Sequence, residues 1–139
     1  MKEYLAVDFH DGTIESAVWD SNILALRMST ITLFNSCADG IHADVWSCSL
    51  VLEFNLRTSQ EMDVTLVTKS KDIADIEFEI PDPVPEDRYG LRLFEGLPLV
   101  QASILFDNGE VCQIDAVSAR VCKVMKNRLE RTVLWADYA

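Results

Sequence analysis

The chain has 139 residues, 49% of them apolar and 25% charged, which is one domain's worth of material with an ordinary globular balance. That argues against wholesale disorder, and a chain this long hides roughly 68% of its unfolded surface, so it needs no disulfide or metal staple to fold. With 23 Asp and Glu against 12 Lys and Arg the net charge is −11, which disfavours nucleic acid and anionic membranes and favours basic partners.

Strand signals dominate from the start. Residues 5–9, 13–19 and 23–28 read as strands, separated by Asp11-Gly12 and by Asp20-Ser21-Asn22, both turn-like. Residues 31–34 either continue the third strand or form a short one of their own. Residues 45–56 alternate: Trp46, Cys48, Leu50, Leu52, Phe54 and Leu56 point one way, Ser47, Ser49, Glu53 and Asn55 the other, with Val51 the exception. Period two over such a length predicts a half-buried strand of an antiparallel sheet. A polar turn at 58–61 leads to a further strand at 62–68. Residues 75–80 repeat the alternation, with Ile76, Phe78 and Ile80 inward and Asp75, Glu77 and Glu79 outward.

Residues 81–87 contain Pro81, Pro83 and Pro85, which lack the N–H a ladder requires, so they read as an extended acidic loop carrying Asp82, Glu86 and Asp87. Strand character resumes at 91–95 and 97–107. Asn108-Gly109 is a hairpin signal of type I′, pairing 103–107 with 110–116. Beyond it, Val117, Val121, Val124, Met125 and Leu129 fall at helical spacing, while residues 117–122 also alternate. The β-branched content favours a strand to about residue 124, with a short helix or loop after it. The expected fold is a single mainly β domain over 1–139, an antiparallel β-sandwich or partly open barrel with a possible short C-terminal helix.

Charge is unevenly spread. Residues 1–56 and 72–95 each carry eight acids and two bases, whereas 116–139 carries five bases (Arg120, Lys123, Lys126, Arg128, Arg131) against Glu130 and Asp137. The basic stretch can pair with the acidic body, within one chain or between copies.

Catalytic signatures are lacking. Cys37, Cys48, Cys112 and Cys122 form no CxxC pair and have no histidine at finger-like spacing, so they read as small core residues and not as zinc ligands. His10-Asp11 lacks the further ligands a metal hydrolase needs, and on a strand adjacent side chains leave on opposite faces. The simpler reading is a turn at Asp11-Gly12 with the His10 ring bonded to nearby backbone. Cys37 with His42 has no orienting third group. Neither a phosphate-cradling glycine loop nor a GxSxG elbow is present. Trp19, Trp46 and Trp135 read as core or partly buried anchors, although Trp135, next to the chain end with Tyr138, is also placed to meet a partner. The opening MKEYLAVDFHDG does not read as a secretory leader, and no apolar run approaches a membrane span, so the expected compartment is the cytoplasm.

The block Phe9-His10-Asp11-Gly12-Thr13-Ile14-Glu15-Ser16-Ala17-Val18-Trp19, with Ile23–Met28 after it, resembles the opening of small bacterial β-rich proteins of the toxin-immunity type. The stretch from Asp107-Asn108-Gly109 to Ile114-Asp115-Ala116 is similar to their late hairpin. The resemblance implies a protein that binds and neutralises a cognate toxin without catalysis or cofactor. The expected partner is a basic protein, met by Asp75, Glu77, Glu79, Asp82, Glu86 and Asp87. A nucleic-acid-mimicking anti-defence inhibitor and an assembly subunit, with a homodimer among its forms, are the alternative readings.

Overall fold

A computed structural model describes residues 5–57, 72–81 and 93–134. It is a mainly β structure of two antiparallel sheets, with no closed barrel. The expected strand at 62–68, the turn at 58–61, the loop residues Asp82, Glu86 and Asp87, and Trp135 lie outside the described residues.

The larger sheet, sheet A, holds β1 (Leu5–Asp8), β2 (Thr13–Asp20), β3 (Ile23–Ser36), β4 (His42–Leu56), β9 (Ala116–Leu134) and the two-residue β6 (Leu97–Pro98). Its order is β1-β3-β4-β9-β6, with β2 beside β1 along the same side of β3. Sheet B has the order β5 (Ile73–Glu79), β7 (Gln101–Phe106), β8 (Val111–Ile114).

The core lies between the sheets. Sheet A contributes Leu24, Leu26, Met28, Leu50, Leu52 and Phe54; sheet B contributes Ile73, Ile76, Ala102, Ile104, Phe106 and Ile114. Phe54 and Phe78 face each other across the gap, ring centroids 6.4 Å apart. The alternation in β4 follows the expected pattern from Cys48 to Leu56. Val51 is no exception in direction: half-buried, it lines the outer side with Ser49 and Glu53.

The β3 reading resolves to one continuous strand. Inward parity passes from Leu24, Leu26 and Met28 to Ile31 and Leu33 through a bulge, where Thr30 takes a φ of 58°. An extra residue shifts the period-two pattern by one, and the kinked strand keeps its apolar side chains inward on both sides of the shift.

Three expectations are corrected. Strand β9 runs to Leu134, and no helix or loop replaces it after residue 124. Its pairing with β4 from Leu56↔Ala116 to His42↔Leu134 overrides the local helical spacing. Residues 93–95 form a single helical turn where a strand was expected, ended by Gly96 at a φ of 118°. Asn108-Gly109 does not make a two-residue I′ turn. Gly109 N–H donates to Phe106 O at 3.0 Å and Phe106 N–H to Glu110 O at 2.9 Å, and of the loop residues only Gly109 has positive φ. That is a three-residue loop with a glycine bulge, the next commonest hairpin solution.

Candidate functional site

The outward row of β5 is where the sequence placed a partner surface. Asp75, Glu77 and Glu79 are all exposed, while Ile76 is buried and Phe78 half-buried on the core side. Their neighbours across the sheet, Leu105, Ser103 and Gln101, carry no charge. Within residues 72–81 and 101–115 there are seven acids and no Lys or Arg. Among the described residues, Asp75, Glu77 and Glu79 make no salt bridge to any cation. Asp115, just past β8, is taken up by Arg57 at 2.9 Å.

The β1–β2 corner fastens the start of β5. Asp11 N–H donates to Ile73 O, Ile73 N–H donates to Gly12 O, and Thr13 bridges to Asp72. The His10 ring adds a bond from Nδ1 to Ala74 O at 2.6 Å, the backbone role expected of it. That bond, then the nearby Asp11 carboxylate, raise the His10 pKa above its ordinary value. His10 and Asp11 do not point apart as adjacent strand residues would, because they sit in a turn with Asp11 at a φ of 62°; Nε2 lies 3.4 Å from the Asp11 carboxylate. Among the described residues no group of His, Cys, Asp and Glu is arranged to hold a metal ion.

The Cys37–His42 loop has no nucleophile–base pair. Asp39 accepts from the Ile41 and His42 backbone at 2.8 and 2.9 Å and meets His42 Nδ1 at 2.6 Å. Those donors hold the Asp39 carboxyl down at about 2, the backbone bonds first. The Cys37 thiol points instead to Asp44, 3.5 Å away. Desolvation and that carboxylate raise its pKa, the opposite of what an attacking thiolate requires. Burial pushes Cys48 up to about 11, and burial with Glu53 raises Cys122. These thiols are held protonated.

The basic stretch occupies the opposite side of the molecule. Arg120 and Lys123 line grooves on the outer face of sheet A, and Arg131 another on the same face. Lys126 turns inward, its ammonium 5.2 Å from the centre of the Trp46 ring. Arg120 is paired with Glu53 and Arg128 with Glu130. Arg27 joins Lys123 in a shallow groove of about 670 Å³ that crosses β2, β3, β4 and β9. Sequence reading did not place Arg27 there, because the placement depends on β3 and β9 flanking β4.

Comparison of the chain with models of protein families, with curated proteins and with solved structures returned no match.

Proposed function

We propose that this is a non-catalytic binding protein, an inhibitor of the immunity type that neutralises a basic toxin domain by covering it with the carboxylate face of sheet B. The observation that carries the reading is the row Asp75, Glu77, Glu79, exposed on one face with no salt-bridging cation among the described residues. Fixed like charges on a rigid strand give a field that steers a basic partner into contact and sets its orientation. A few desolvated contacts at the centre of the interface then supply most of the affinity. A nucleic-acid mimic would use the same face, and the identity of the captured protein separates the two.

The test is co-expression with the gene that immediately precedes this one. Growth should be arrested by that product alone and restored by this protein. The variant Asp75→Lys/Glu77→Lys/Glu79→Lys should fold normally yet lose the restoration, with association slowed about tenfold or more at low salt. Full protection by the triple variant would remove sheet B as the binding face.

A further inference from the structure

Opposite charges occupy opposite outer faces of one sandwich. We infer that the outer face of sheet A docks on the outer face of sheet B of a second copy, head to tail. The inference rests on the carboxylate face of the preceding reading and gives that face a second partner, the chain itself.

Arg27, Lys123 and Arg131 are exposed on the outer side of sheet A and make no salt bridge among the described residues. The acids in the same groove are already engaged: Glu15 accepts from the Ser29 hydroxyl, and Glu53 holds Arg120 and the Cys122 thiol. So the groove presents net positive charge within a chain of net charge −11. Asp75, Glu77 and Glu79 offer the complement, at strand spacing of about 7 Å between alternate residues. Each face also has apolar surface beside its charges, Val18 and Met125 on sheet A and Val111 on sheet B, exposed by 60%, 64% and 48%. Contact would desolvate these together.

Charge also selects the mode. Docking either face on itself would set cations against cations or carboxylates against carboxylates, which is destabilising. The complementary arrangement is heterologous. Because the two faces look away from each other, it cannot close as a two-fold dimer and extends as a stack. Repulsion between the acidic bodies is long-ranged and is screened beyond about 8 Å at physiological salt, while charges in contact are screened less.

The experiment is light scattering of the full chain over a range of concentrations near physiological salt. Weight-average mass should rise at least about twofold with concentration, without a fixed plateau. Arg27→Glu/Lys123→Glu/Arg131→Glu should be monomeric, as should Asp75→Lys/Glu77→Lys/Glu79→Lys, and the chain carrying all six changes should associate again. The neutral variant Arg27→Gln/Lys123→Gln/Arg131→Gln guards against misfolding by charge reversal and should also be monomeric. A wild-type chain of monomer mass throughout, or a six-fold variant that stays monomeric, overturns the inference. An oligolysine peptide tests the earlier reading separately: it should bind the monomeric sheet A variant and not the sheet B variant. Binding that survives the sheet B reversal counts against the carboxylate face itself, whatever the scattering shows.

Discussion

The outer faces of the two sheets differ in how their charges are held. On sheet A, acids and bases interleave and largely satisfy each other: Glu53 with Arg120 and Cys122, Glu130 with Arg128, Asp44 with Thr132 and Cys37. On sheet B the β5 carboxylates stand in a row without a countercharge among the described residues. A paired charge serves the fold, whereas an unpaired exposed one contributes little to it and is available to something else.

Separating the faces from each other should have the largest effect. Phe54 is fully buried in sheet A and stacks on Phe78 of sheet B. Phe54→Ala should cost about 3–5 kcal/mol, measured by chemical denaturation, and bring the domain close to unfolding. Gly12 lies where the β1–β2 corner meets β5. A Cβ there would come 2.5 Å from the tip of Ile31 and 3.0 Å from the carbonyl oxygen of Phe9. Gly12→Ala should therefore cost about 1–3 kcal/mol, because the carbonyl, unlike the Ile31 methyl, has little room to yield.

The charge contrast itself is tested by one substitution on each face. Glu53→Lys removes the partner of Arg120 and sets a cation beside it, and should lower stability by about 1 kcal/mol. Glu77→Lys should change stability by less than about 0.5 kcal/mol. Equal costs would mean that the β5 row is structural after all.

The smallest effect should be a pH dependence. His10 has a raised pKa when folded, so its protonated form contributes stability fully present below the ordinary value of 6.5 and lost as pH rises through the folded pKa. The stability gap between wild type and His10→Ala should be wider near about pH 5 than near about pH 9. A constant gap would show that the bond to Ala74 O does not depend on the proton.

Much of this was legible in the sequence, for definite reasons. Alternation in β4 and β5 marked both the buried and the exposed rows, since burying one side of a sheet writes period two directly into the chain. The outward carboxylates Asp75, Glu77 and Glu79 followed from the same rule. The bulge in β3 was not legible, because Thr30 takes its left-handed conformation without the glycine that would announce it. β9 was misjudged because Val121, Met125 and Leu129 mimic a helical stripe; its extended state depends on pairing with residues some 70 positions away in β4. The cationic groove was hidden for the same reason, as Arg27 and Lys123 come together only across the sheet.

One consequence of the β9 geometry concerns growth of the sheet itself. Beyond Leu97 and Pro98, the far side of β9 has no ladder partner among the described residues. Its register against β4 slips at four places, so the strand carries surplus residues and coils, and Lys123 interrupts it with a φ of 50°. An incoming strand would meet uneven donor spacing and a fringe of lysine and arginine, two devices that discourage runaway backbone pairing. Association of this molecule is thereby steered toward side-chain contact, which salt can reverse, and away from fibrillar deposition.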